Sequence, residues 1–76
     1  MKEIPLSHLR RRQRGRVVRL RHRGGLKRRM LDMGIVPGVE IEMVRKAPFG
    51  DPLEYRLRGY HISIRKKEGD GIIVER

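Results

Sequence analysis

The sequence predicts a mainly β domain: a small, partly open β-barrel of about five short strands, with a helix between the first and second and at most one more helical turn. Three observations predict it. Apolar and polar residues alternate in several short runs, the period of strands with one buried face. Glycine and proline punctuate those runs at Gly24-Gly25, Pro37-Gly38, Pro48-Phe49-Gly50 and Gly59, where tight turns need them. One short stretch alone carries helical spacing. Seventy-six residues allow a single domain, 1–76, and a sheet rolled into a barrel leaves few edges unpaired.

The elements follow in order. Ile4 to Leu9 reads as an extended lead-in and a short helical turn, with Ser7 as cap and Leu6 and Leu9 pinned to the core. Arg16 to Arg21 is the first strand, with Val18 and Leu20 inward and Arg19 and Arg21 outward. After Gly24-Gly25, Leu26 to Met33 forms a two-turn helix whose stripe is Leu26, Met30 and Met33. Gly34 suits a left-handed stop with Ile35 folding back on Met30, a Schellman motif, and Asp32 leans on Arg28 or Arg29. Val36-Pro37-Gly38-Val39 suits a type II turn. Strands then follow with Val39, Ile41 and Met43, then Leu53, Tyr55 and Leu57, then Tyr60, Ile62 and Ile64 facing inward. Lys66 to Gly71 is a polar connection, and Ile72 to Val74 is the last strand.

Composition narrows the function classes. There is no cysteine, which excludes disulfides and thiolate metal sites and fits a reducing compartment. No apolar run approaches the ~18 residues of a membrane span, and the first residues lack a signal peptide's apolar core. A cytoplasmic protein is expected. The chain contains no Asn, no Thr and one Gln, while 38% of it is charged. Fewer thermolabile amides with more charge is a thermophile pattern, and a hot-growing source is expected.

The net charge of +11 is lopsided. Residues 1–30 hold twelve bases against one acid, and residues 31–76 hold eight of each. A basic half calls for an acidic protein surface, a nucleic acid, or nothing beyond solubility. Arg10, Arg11, Arg12, Arg19 and Arg21 are the candidate basic surface. Single-strand binders interleave stacking aromatics with their cations, and this half has none, so nucleic-acid binding, weak and salt-sensitive, is the alternative reading.

The order of the pieces resembles a known family. A helix ending Arg-Met-Leu-Asp-Met-Gly-Ile-Val-Pro-Gly (residues 29–38), a strand, Ala-Pro-Phe-Gly-Asp-Pro (47–52), and Leu-Glu-Tyr-Arg-Leu-Arg-Gly-Tyr-His-Ile-Ser-Ile-Arg-Lys-Lys-Glu (53–68) resemble the FeoA family from about Leu6 to Val74. The resemblance implies an SH3-like barrel that serves ferrous iron uptake as a cytosolic accessory of FeoB, a membrane transporter with a cytoplasmic GTP-binding domain. A similar barrel ends the metal-dependent repressors of the DtxR kind, but the helix-turn-helix half of those proteins has no counterpart here. Two stretches depart from the family pattern: the arginine-rich lead-in, and Glu68-Gly69-Asp70-Gly71 where members usually continue Glu-Ala.

No catalytic constellation is present: there is no thiol nucleophile, no phosphate-binding glycine loop, and only scattered Ser, His and Asp. An adaptor is expected rather than an enzyme. His8, His22 and His61 lie on three different elements without a ligand pair, and Met30 and Met33 read as core filling. No resident cofactor or metal site is therefore expected, and iron enters through the pathway alone. The candidate partner-binding residues are Arg28 and Leu31 on the helix and Phe49 and Asp51 in the loop around residues 47–52, where exposed apolar groups can anchor a partner. The expected partner is the cytoplasmic domain of a FeoB-type transporter.

Overall fold

A computed structural model describes residues 2–76. It contains six strands rather than five: β1 (Glu3–Pro5), β2 (Arg14–Leu20), β3 (Glu40–Lys46), β4 (Leu53–Leu57), β5 (Tyr60–Ile64) and β6 (Ile72–Glu75). A 3-10 turn (Leu6–His8) follows β1, helix α1 (Gly24–Asp32) lies between β2 and β3, and the four-residue α2 (Lys66–Gly69) precedes β6. All pairings are antiparallel, in the order β1-β6-β2-β3-β4-β5.

The extra strand is the lead-in itself. Ile4 pairs with Val74 and Pro5 with Ile73, at a separation no local pattern reveals. Proline is tolerated because β1 is an edge strand and needs no second row of donors. The segment 66–71, expected as plain connection, closes a turn of helix whose first backbone amide, that of Lys66, donates to Asp51 Oδ1 at 2.9 Å. Ser7 does not cap the 3-10 turn; its hydroxyl bonds Asp70 instead and ties that turn to the end of α2.

The inward face of β2 also differs from expectation. Val17 is buried while Val18 and Leu20 are only half-buried. The pairing with β6 shifts between Val17 and Arg19, and such a bulge inserts a residue and resets the alternation. Gly15 next to it is where β2 passes close to β6: a Cβ there would lie 2.8 Å from a Val74 methyl carbon. β3, β4 and the inner part of β5 face as expected, with Ile41, Met43, Leu53, Tyr55, Leu57 and Ile64 all buried. Tyr60 is the exception on β5, remaining partly exposed.

The core joins every layer. Leu6, Leu9, Met30 and Ile35 pack with the strand residues into one cluster, with Ile4, Met33 and Ile62 at its margin. Tyr55 is fully buried, its hydroxyl reaching toward the Leu6 carbonyl at 3.4 Å. Burial pushes its ionisation up, and the Asp70 carboxylate adds to the shift.

The turns behave as the residues dictate. At the end of α1, Ile35 N donates to Met30 O at 3.1 Å and Gly34 N to Leu31 O at 2.9 Å, the Schellman pair, with Gly34 at φ +95°. Val39 N donates to Val36 O at 3.1 Å, with Gly38 at φ +95° closing the turn after Pro37.

Candidate interaction surfaces

Helix α1 presents more apolar surface than its spacing predicts. Of the stripe Leu26, Met30 and Met33, only Met30 is fully buried; Leu26 is 39% exposed and Leu31 37%. The two leucines stand among Lys27, Arg28 and Arg29, so the outer face of the helix is basic with two apolar points. Gly24, Lys27, Arg28, Leu31 and Asp32 line a shallow groove there. Asp32 forms no ion pair among the described residues; Arg29 instead reaches Glu68 on α2 at 3.3 Å. The helix end is fastened by Tyr60, whose hydroxyl donates to the Met33 carbonyl at 2.6 Å. A Cβ on Gly34 would lie 2.5 Å from that hydroxyl.

Phe49 is fully exposed. Its turn is held on both sides: Gly50 N donates to Ala47 O at 2.8 Å, and Ala47 N to Pro52 O at 3.0 Å. Asp51, beside it, is taken up locally. One carboxylate oxygen accepts from Lys66 N, and the other lies 3.9 Å from Arg65. Asp51 therefore holds the loop against α2, while Phe49 projects from it. The structure places Arg28 and Leu31 on α1 and Phe49 on the β3–β4 loop, with α2 between them through its contacts to Asp51 and Arg29.

The candidate basic surface divides in two. Arg19 pairs with Glu3 at 2.9 Å, and Arg21 follows it at the far end of β2. Arg10, Arg11 and Arg12 occupy a turn at the near end. Gln13 N donates to Arg10 O at 2.9 Å, Gln13 Oε1 accepts from Arg10 N at 2.8 Å, and Arg12 N donates to Met43 O at 2.8 Å. The backbone is locked, yet the three guanidinium groups form no ion pair among the described residues.

By contrast the outward face of β3, β4 and β5 neutralises itself. Glu42 lies 2.5 Å from Arg56 and 3.9 Å from Arg14; Glu54 lies 2.8 Å from Arg45 and 2.6 Å from His61 Nδ1. The hydrogen bonds from Arg45 and His61 hold the Glu54 carboxyl below its ordinary range.

The histidines are kept apart. His8 is exposed, His61 serves Glu54, and His22 packs on Gly71 with Nε2 2.7 Å from the Glu68 carbonyl. A carbonyl only accepts, so Nε2 carries the proton and His22 acts as a strut between the β2–α1 connection and α2. Among the described residues no group of three or more His, Cys, Asp or Glu side chains is placed to hold a metal ion. No described helix is long and apolar enough to cross a membrane.

The alternation of β4 puts Arg58 outward, but the sequence does not announce its backbone conformation. It sits with Gly59 in the β4–β5 hairpin, both at positive φ, +48° and +83°, as a two-residue type I′ turn requires. The signal available was a two-residue gap between two alternating runs.

Comparison with known proteins agrees with this geometry. The FeoA domain family model matches residues 4–76. A Porphyromonas gingivalis protein described as a fusion of Fe(2+) transport protein A with the Fe(2+) transporter FeoB is 41% identical over 59 residues, 78% of this chain. The chain spans only 7% of that much longer relative. The solution structure of an FeoA-like protein from Clostridium acetobutylicum superposes with a TM-score of 0.89 at 41% identity, covering 99% of this chain and 87% of the other. The zinc-complexed FeoA of Stenotrophomonas maltophilia, described as a prokaryotic SH3 domain protein, gives 0.81 at 27% identity, with 92% and 87% covered.

Proposed function

This chain belongs to the FeoA family, with the SH3-like fold described for its relative, and we propose that it is a cytoplasmic, non-enzymatic accessory of ferrous iron transport that acts by docking on the cytoplasmic domain of a FeoB-type transporter. The observation that carries the reading is the P. gingivalis relative, in which a segment like this one and the transporter FeoB form a single polypeptide. Covalent linkage raises effective concentration between two modules and makes sense where they work together.

The docking surface on this chain is the outer face of α1, with Leu26 and Leu31 as apolar anchors and Arg28 as the charged one, extended across α2 to Phe49. A fixed turn presents Phe49, so ordering it on binding costs little. No catalytic group is needed. The domain shifts the transporter's conformational equilibrium to the extent that it binds one state better than the other.

A titration of this chain against the soluble GTP-binding domain of its transporter, at about 0.15 M salt, tests the reading. Saturable binding is expected, and the pair Arg28→Ala and Leu31→Ser should weaken it at least about tenfold, as loss of central anchors does. An absence of saturable binding, with transport unchanged when the gene is deleted, would overturn it.

A further inference from the structure

Among the described residues only two non-glycine residues have a positive φ, Arg12 at +72° and Arg58 at +48°. Both are arginines, both are exposed, and neither forms an ion pair there. The left-handed region disfavours any residue with a Cβ, and glycine would serve either turn better as a turn. Backbone strain that persists in this way points to the side chain being needed where it is.

The two arginines also border one strip. Arg11 and Arg12 share a shallow depression with Glu42, Arg56 and His61. Arg58 shares the adjoining one with Arg14, Glu40, Glu42 and Arg56. Glu40 and Glu42 are engaged by Arg14 and Arg56, which leaves Arg11, Arg12 and Arg58 as uncompensated charge along the two depressions, with Arg10 beside them in the same turn as Arg11 and Arg12.

We propose that this arginine strip binds the anionic phospholipid headgroups of a bilayer and so sets the orientation of the domain against the membrane. The proposal rests on the transporter reading in one respect: a domain held by a membrane transporter is held within reach of the leaflet.

The chemistry favours a lipid surface over a nucleic acid. A leaflet needs only a few bases close to its plane, each worth about fivefold in partitioning. Duplex readers place a helix or ribbon in a groove, but Arg10, Arg11 and Arg12 lie in a turn between the 3-10 turn and β2. No aromatic lines the two depressions of the strip for a single strand to stack on, and Tyr60 beside Gly59 is held by its bond to the Met33 carbonyl.

Screening makes the face, not the net charge, decisive. The Debye length at physiological salt is about 8 Å, while the molecule measures 30 × 27 × 22 Å. Bases away from the bilayer contribute little. Arg21, Arg23 and Lys27 are equally exposed and form no ion pair among the described residues, but they follow the other end of β2, about 20 Å of extended chain away.

The test is co-sedimentation of the full chain, without transporter, on vesicles of equal parts phosphatidylglycerol and phosphatidylcholine, and on phosphatidylcholine alone, at about 0.15 M salt. Binding to the anionic vesicles only is expected. The triple variant Arg10→Gln, Arg11→Gln, Arg12→Gly should bind about a hundredfold more weakly. The control triple Arg21→Gln, Arg23→Gln, Lys27→Gln should stay within about fivefold of the parent. Should the first triple fold poorly, Arg58→Gly alone, in a turn that accepts glycine, should lose about fivefold.

Equal losses in the two triples would overturn the proposal in favour of simple net charge. Absence of vesicle binding, or tighter binding to a DNA or RNA duplex in the same salt, would also overturn it. Because these vesicles hold no transporter and the docking titration holds no lipid, failure of one reading is distinguishable from failure of the other.

Discussion

The outward face of β3, β4 and β5 and the turn of Arg10 to Gln13 are both crowded with charge, and they use it in opposite ways. On the sheet face Glu42 stands between Arg14 and Arg56, and Glu54 between Arg45 and His61. Those charges satisfy one another across strands, as facing pairs on a sheet do. In the turn, four hydrogen bonds hold the backbone and none holds a guanidinium. One region uses charge as part of the scaffold, and the other builds scaffold in order to present charge. Net charge alone, +11, does not distinguish them.

Substitutions can separate the two roles. The largest stability effect is expected away from both, at the joint between α1 and β5. Gly34→Ala forces a Cβ against the Tyr60 hydroxyl at a positive φ and should cost about 2–3 kcal/mol, combining left-handed strain with a lost hydrogen bond; chemical denaturation would measure it. A smaller change of opposite sign is expected at the arginines. Arg12→Gly and Arg58→Gly should each raise stability by about 0.5–1 kcal/mol, relief of strain exceeding the glycine's entropy, while vesicle binding weakens. A loss of stability at either site would show that those side chains serve the fold, erasing the contrast. Phe49→Ser should change stability by less than about 0.5 kcal/mol, since the ring is fully exposed.

The smallest effect concerns pH. Glu54 titrates below its ordinary value of 4.5 because Arg45 and His61 bond the carboxylate. A depressed folded value means stabilisation that is present above the unfolded value and lost as pH falls through the folded one. Acid unfolding of Glu54→Gln should therefore be flatter below about pH 4.5 than that of the parent. An unchanged acid limb would mean the sheet-face pairs are ornamental, as many exposed pairs are.

Much of the fold was legible because it is written locally. Gly34, Pro37-Gly38 and Gly59 announce their turns, and Ile41, Met43, Leu53, Tyr55 and Leu57 alternate without interruption. What escaped is what depends on distant partners. β1 exists only because β6 returns to it, and α2 because Asp51 and Arg29 receive its ends. The bulge after Val17 is set by β6, so the alternation read from Val18 and Leu20 does not extend back, and Val17 is buried in phase with Gly15. The candidate surfaces were half legible. Leu31 and Phe49 are exposed as their positions suggested, but Asp51 is occupied by Lys66 N, and Arg19 by Glu3. Arg58 reads as an ordinary outward residue because its backbone angle, not its neighbours, sets it apart.

If α1 and the Phe49 loop meet the transporter, the turn of Arg10 to Arg12 stays free for the membrane. The most direct measurement is heteronuclear NMR of the labelled chain during addition of the transporter's soluble cytoplasmic domain. Amide shifts contiguous over α1, α2 and residues 47–50 are expected, with Arg10 to Gln13 unperturbed. Shifts centred on the Arg10 to Gln13 turn, with α1 silent, would contradict that reading.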